Sequence, residues 1–334
     1  MVNRSATATE FGFDFQRNAA IVLMLENIKD MVSLRSEGNY EDIQIKLSDG
    51  SYVLAQAKSV VNSSTDFTNV KANLKAALRS LSDGSSQCDV SELILITNSP
   101  NPLDQKASEN LFLGMAHRKY NTLPDKSKKL IDKYLKSIVN PLDTNKFMIQ
   151  ILPFETDDLS ERYKIVKQNV DEFVFDKKIN IPGISKCLLK TWQEDIFVNG
   201  TKKDTEIVLT KNDVIWPMIV IITDIERIDE DFEEFLDCGE YEELVASYKD
   251  LINSNCEKFE YITRIISDYN SYSSDYRGKE KIKSFVKDRW NLYVDMFGIK
   301  NLDSYLQERL TEIIIYIILK NRFSIDKIKQ GVNL

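Results

Sequence analysis

Tyr40-Glu41-Asp42-Ile43-Gln44-Ile45-Lys46-Leu47, then Ser48-Asp49-Gly50, then Ser51-Tyr52-Val53-Leu54-Ala55-Gln56-Ala57-Lys58 is the stretch that decides the fold. Asp42, Gln44 and Lys46 alternate with Ile43, Ile45 and Leu47, the period of a strand. Ser48-Asp49-Gly50 is a turn signal, and 51–58 reads as a second strand. Residues two apart share a face, so Gln56 and Lys58 project together with Leu54, and Asp42 with Gln44 and Lys46. Antiparallel pairing through the turn brings Asp42 beside 56–58. Asp42 and the Gln56 side-chain carbonyl could then ligate Mg²⁺ or Mn²⁺, which prefer oxygen, with the Ala57 backbone carbonyl as a further candidate ligand. The cation would activate a water. Lys58 would orient that water or stabilise the charge that develops as a phosphodiester is attacked. Glutamine is neutral, so such a site holds metal more weakly than one with two carboxylates. The plain alternative is a hairpin whose polar side faces water. Small Ala55 and Ala57 point instead to close packing, and a buried lysine needs a partner such as Asp42.

Outward from the hairpin, residues 9–33 carry a helical pattern of Phe11, Phe15, Ala19, Val22, Leu23 and Leu25, with Thr9 as a cap. A helix is expected over about 66–82, from Phe67, Val70, Leu74, Ala77, Leu78 and Leu81. Leu93-Ile94-Leu95-Ile96-Thr97 suits a central strand. Helices are expected near 107–119 and 124–138, and a strand at Phe147–Leu152 ends at Pro153. The passage from 51–58 through a helix to 92–97 implies a parallel pair with a right-handed crossover. The result is a mixed sheet flanked by helices. After about 155 helical patterns dominate: 157–174, 183–195, 228–236, 240–267, 279–297 and 301–320. Residues 215–222 fit either a strand pair or a buried helix. Two domains follow, 1–155 with the α/β sheet and 156–334 mostly α-helical.

Composition narrows the chemistry. The 334 residues are 43% hydrophobic and 29% charged, as in ordinary soluble proteins. No apolar run is long enough to span a bilayer, and the N-terminus lacks the apolar core of a signal peptide. The four cysteines have no metal-ligand spacing, which suits a reducing, cytoplasmic setting. His117 is the only histidine and reads as a helical surface or packing residue. Histidine-based triads and histidine-rich zinc sites are thereby set aside. Residues 1–150 hold 18 basic and 17 acidic residues, and the remainder 26 and 35. The first half is therefore the one that tolerates a polyanion. Residues 224–243 hold eleven acidic residues and one arginine, read as a solvated helical face or a surface for a basic partner.

Gly12-Phe13-Asp14-Phe15-Gln16-Arg17-Asn18-Ala19-Ala20, Glu41-Asp42-Ile43-Gln44-Ile45 and Gln56-Ala57-Lys58-Ser59 together resemble the PD-(D/E)xK nuclease superfamily. More narrowly, residues 8–155 resemble the double-stranded-DNA endonuclease domain of anti-phage effectors, found in CBASS nucleases and in the nuclease subunit of Lamassu systems. The resemblance implies a restriction-endonuclease-like N-terminal domain, with Asp42, Gln56 and Lys58 as the metal-binding and catalytic set. It also implies that Gln16, on the first helix, helps to shape the site. Glu41 should face away on a regular strand. The acidic, helical remainder looks more like a Lamassu-type subunit than a nucleotide sensor. That implies an ATPase partner resembling structural-maintenance-of-chromosomes proteins, a further accessory subunit, and a homo-oligomer in the active state. The expectation is a Mg²⁺- or Mn²⁺-dependent DNA endonuclease held inactive or assembled by partners. The alternatives are a cyclic-oligonucleotide-activated CBASS-type effector and a non-catalytic nuclease-fold adaptor. Lys71, Lys75 and Arg79, or Lys126, Lys128, Lys129, Lys133 and Lys136, are candidates for phosphate contacts or for solvated helix faces.

Overall fold

The computed structural model describes residues 6–224 and 238–334. Helix α1 (Ala6–Asn27) opens the chain, and strand β1 (Met31–Ser36) follows. The helical pattern was expected to run to 33. A short apolar run such as Met31-Val32-Ser33-Leu34 fits both periods, and pairing with the next strand decides it. That strand is β2 (Ile43–Leu47), antiparallel to β1 and to β3 (Tyr52–Lys58). The turn between β2 and β3 uses Gly50 at φ +90°, a conformation that glycine adopts freely. Helix α2 (Val70–Ser85) then crosses to β4 (Val90–Thr97), parallel to β3.

A helix was expected over 107–119. Instead Lys106–Leu111 is a 3₁₀ turn and His117–Lys119 is strand β5. Gly114 at φ +66° breaks the segment. The sheet edge beyond it offers backbone partners, so His117 lies on a strand and not on a helix. Helix α3 (Asp125–Leu135) leads to β6 (Phe147–Ile151), parallel to β4 and antiparallel to β5.

The chain continues through α4 (Leu159–Arg162), α5 (Lys164–Asp176) and α6 (Ile184–Gly200) to a two-residue strand, β7 (Leu209–Thr210). β7 pairs with β1, so the sheet is mixed and has seven strands in the order β5-β6-β4-β3-β2-β1-β7. Both faces of its centre are covered. Leu54, Leu93, Leu95, Phe147 and Ile149 pack with Leu74, Leu78 and Leu81 of α2 and with Ile131 and Leu135 of α3. α1 packs on β1, β2 and β3. Strands buried on two faces read as continuous apolar runs, which is why 93–97 and 147–152 carry little alternation.

The chain divides into two compact units. The first holds Met1–Asp176, Ser185–Val214 and Val332–Leu334, and the second Lys177–Ile184 and Ile215–Gly331. The division read from sequence at 155 therefore moves. α5 packs on α1, and the end of α6 with the loop after it supplies three carbonyls to buried Arg35. Those carbonyls belong to Asn199 (2.6 Å), Ile207 (2.8 Å) and Lys202 (2.8 Å). The second unit is helical, in agreement with the expectation of a helical C-terminal region. Residues 215–222 are helix, within α7 (Lys211–Thr223). α8 (Cys238–Cys256), α9 (Phe259–Ser271) and α10 (Gly278–Arg289) pack against or beside α11 (Ser304–Gly331). The run Ile313–Leu319 is buried throughout in α11. Among the described residues no helix is long and apolar enough to cross a membrane. The expected helix at 228–236 and most of the acidic 224–243 stretch lie outside the described residues.

One close approach sets the position of Asp42. Gly84, in α2, packs so tightly on the segment before β2 that a Cβ there would lie 2.6 Å from the Tyr40 carbonyl oxygen. Backbone cannot yield as a flexible side chain does. Gly84→Ala is expected to lower stability by about 1–3 kcal/mol in urea denaturation, and an unchanged midpoint would contradict this packing account.

Candidate functional site

Asp42 is the residue before β2, and the register Ile43↔Ala55 places it opposite Gln56. β1 and β2 are joined by residues 37–42, closed by Glu37 N–H donating to the Asp42 carbonyl (2.8 Å) and Gly38 N–H to Glu41 (3.2 Å). Glu37 takes φ 53°, an uncommon left-handed conformation for a residue with a Cβ. That turn carries its carboxylate toward Asp42.

Three of the residues singled out in the sequence meet directly. Asp42 Oδ2 accepts from the Ala57 N–H at 3.1 Å and from the Gln56 side-chain amide. The fourth, half-buried Lys58, ends the same strand and favours the ionised form of Asp42 electrostatically. Two details differ from the expected ligand set. Ala57 meets Asp42 through its N–H and not its carbonyl. Gln56 presents its amide nitrogen, and a half-turn of that amide would put the oxygen in its place.

Gln16 ties α1 to this corner. Its Nε2 donates to Glu37 Oε1 (2.8 Å), to the Asp42 carbonyl (3.2 Å) and to Ser36 Oγ (3.4 Å). Glu37 is the residue that the sequence reading missed. Its signal was an acidic residue followed by Gly38 in the short link between two strands. No strand was expected at 31–36, so no link was visible. Glu41 is buried; its carboxylate accepts from the Asp42 N–H (3.4 Å) and interacts with Ser80 of α2, and is no part of the Asp42 Oδ2 contact with Gln56.

The electrostatics are those of carboxylates short of cations. Burial pushes Asp42 up from its ordinary value. Lys58, the Ala57 N–H and the Gln56 amide oppose this, and the neighbouring Glu37 carboxylate adds to it. Burial likewise raises Glu41 to about 7, and its Oε1 has no hydrogen-bond partner. Among the described residues no three His, Cys, Asp or Glu side chains group as a metal site. The side-chain donors at this corner are all hard oxygens: the Asp42 and Glu37 carboxylates and an amide oxygen from Gln16 or Gln56. That set suits Mg²⁺ or Mn²⁺, which takes one or two carboxylates together with waters and substrate phosphates. A cleft of about 460 Å³, lined by Phe13, Gln16, Arg17, Glu37, Phe197 and Gly200 among others, opens on this corner from the β1 side.

A carboxyl with a raised folded pKa binds its proton more tightly in the folded state. Its cost to stability therefore appears as pH rises from about 4.5 to about 7 and is complete above that. In EDTA, Glu41→Gln should match the parent near the lower value. It should exceed the parent by about 1–3 kcal/mol near pH 8. Urea denaturation across that range checks this, and a gap that does not widen with pH would contradict it. No protein-family model matches this chain, nor does any curated protein or solved structure.

Proposed function

We propose that this chain is a metal-dependent endonuclease of double-stranded DNA with a PD-(D/E)xK site. In this reading it is the effector subunit of a bacterial anti-phage complex, most like the Lamassu nuclease subunit, restrained or assembled by an ATPase and an accessory partner. The observation that carries the reading is the contact of Asp42 with both Gln56 and Ala57, one residue before Lys58, at the sheet edge where Gln16 of α1 also bonds Asp42.

Each side chain has a task that follows from its place. Asp42 carries the charge that would hold the cation, and the Ala57 N–H and Gln56 amide fix its carboxylate. Gln16 holds Asp42 and Glu37 in one arrangement, so that Glu37 supplies a second carboxylate. When bound, Mg²⁺ or Mn²⁺ supplies Lewis-acid charge at the phosphate and lowers the pKa of water. Lys58, on the Gln56 face of β3, orients the attacking water or takes up negative charge on the phosphoryl oxygens. Gln56 is neutral, so the site's own negative charge is small and its hold on metal weak.

A second reading, a non-catalytic adaptor that keeps the fold, is favoured by the neutral Gln16 and Gln56 and by the lack of a three-ligand group among the described residues. Plasmid cleavage in Mg²⁺ or Mn²⁺, by the protein alone and after co-expression with its genomic neighbours, separates the two. Asp42→Ala and Lys58→Ala should each lower cutting by at least about 100-fold. Equal cutting by all three proteins would remove the nuclease assignment. Stimulation by cyclic oligonucleotides without a partner would move it to the CBASS-type effector. A second test reads metal directly. Gln56→Glu should tighten Mn²⁺ binding by about tenfold in calorimetry, since affinity rises with ligand charge. Unchanged affinity would take Gln56 out of the metal site.

A further inference from the structure

Helices α2 and α3 lie on the same face of the sheet and share one core. Their outward sides are basic. Lys75 and Arg79 are exposed on α2, Lys126, Lys129 and Lys133 on α3, and Lys136 at the C-cap of α3. On α3 the spacing of three, four and three residues makes a single stripe opposite the buried Ser127, Ile131 and Leu135. The stripe is about 15 Å long at 1.5 Å per residue. None of these six cations makes an ion pair among the described residues, whereas Lys71 on α2 is taken by Asp104 at 2.7 Å. Unneutralised cations gathered on one surface of a chain of net charge −8 create a local field of the opposite sign.

The basic face is tied to the edge that holds Lys58. Lys58 lines a small hollow with Val70, Asn73 and Leu74 from the start of α2. Gln105, beside Asp104, accepts from Ser127 Oγ (2.9 Å) and donates to the Lys126 carbonyl (3.4 Å). Both helices therefore begin near the edge that carries the candidate site.

We propose that the outward face of α2 and α3 docks the phosphate backbone of duplex DNA and delivers it to the Asp42–Lys58 edge. This rests on the nuclease reading and adds where the substrate lies. The contact is sequence-independent, since phosphate contacts carry no base information. Each neutralised phosphate releases counterions, so affinity falls steeply with salt.

The test uses the full chain with Asp42→Ala, a labelled duplex of about 30 base pairs, and fluorescence anisotropy from about 50 to 200 mM salt. Adding Lys129→Glu, Lys133→Glu and Lys136→Glu together should weaken binding by at least about tenfold at low salt. It should also make the slope of log affinity against log salt shallower by about 2–3. The same three positions changed to Gln should give the same direction with a smaller loss, and guard against misfolding caused by charge reversal. Lys46→Glu, on the exposed side of β2, should stay within about twofold of the parent. A triple variant within twofold of the parent, an unchanged slope, or a parent that does not bind duplex overturns the proposal. Binding is read without cleavage, so the two readings fail separately. Lysine-dependent binding by a protein whose wild type never cuts would sink the nuclease reading alone. Lys58-dependent cutting with binding untouched by the triple variant would sink this one alone.

Discussion

The partial burial of Asp42 is the constraint on which the rest of the site depends. A carboxylate taken out of water is costly unless donors or cations face it. Here it is met by the Ala57 N–H, by the Gln56 amide and by the field of Lys58. Each of those depends on register. Ile43 opposite Ala55 sets Asp42 opposite Gln56, and a slip of one residue would turn every side chain to the other face. The register in turn depends on the β2–β3 turn at Gly50 and on the apolar faces of β3 and β4, both covered by helices.

A sheet buried on two sides leaves polar side chains few places to go, and the strand ends are the main ones. β3, β4 and β6 run parallel, so their C-terminal ends share one edge. β2 begins and β1 ends there too. Lys58, Asp42 and Glu37 therefore converge from the ends of three strands. α1 is buried over Ala19–Met24 and acts as the rigid support. From α1 the Gln16 amide holds the backbone of Asp42 and the side chain of Glu37 together.

The hairpin, the crossover and the central strands were legible because each carries a local period or turn signal. Asp42 beside 56–58 was legible for the same reason, since two-residue periodicity and a short turn fix which side chains meet. β1, β5 and β7 were not. Met31–Ser36 extends a helical pattern, His117–Lys119 is three residues long, and Leu209–Thr210 is two. All three exist because a neighbouring edge offers backbone partners, a fact that lies outside their own sequence. Glu37 was missed as a consequence, because its placement needs β1 as well as β2. The division at 155 was misplaced for a related reason. What closes the first unit is the bonding of Arg35 to carbonyls more than 160 residues away, and no local pattern announces that.

The amides at Gln16 and Gln56 bear on how such a site would be controlled. Acidic side chains in their place would attract a cation strongly but would repel one another and the phosphate until it arrived. With glutamines, the corner is held by amide donors to carboxylates and keeps Asp42 and Glu37 as its negative charges. Burial already opposes the ionisation of Asp42. A cation favours ionised Asp42 and a bound phosphate alike, so each of these anions lowers the cost of binding it. Under the nuclease reading, this makes cation affinity a function of whether DNA is in place. In that reading, an effector that is harmful when unrestrained would gain a threshold from that coupling, set by the residues of the site.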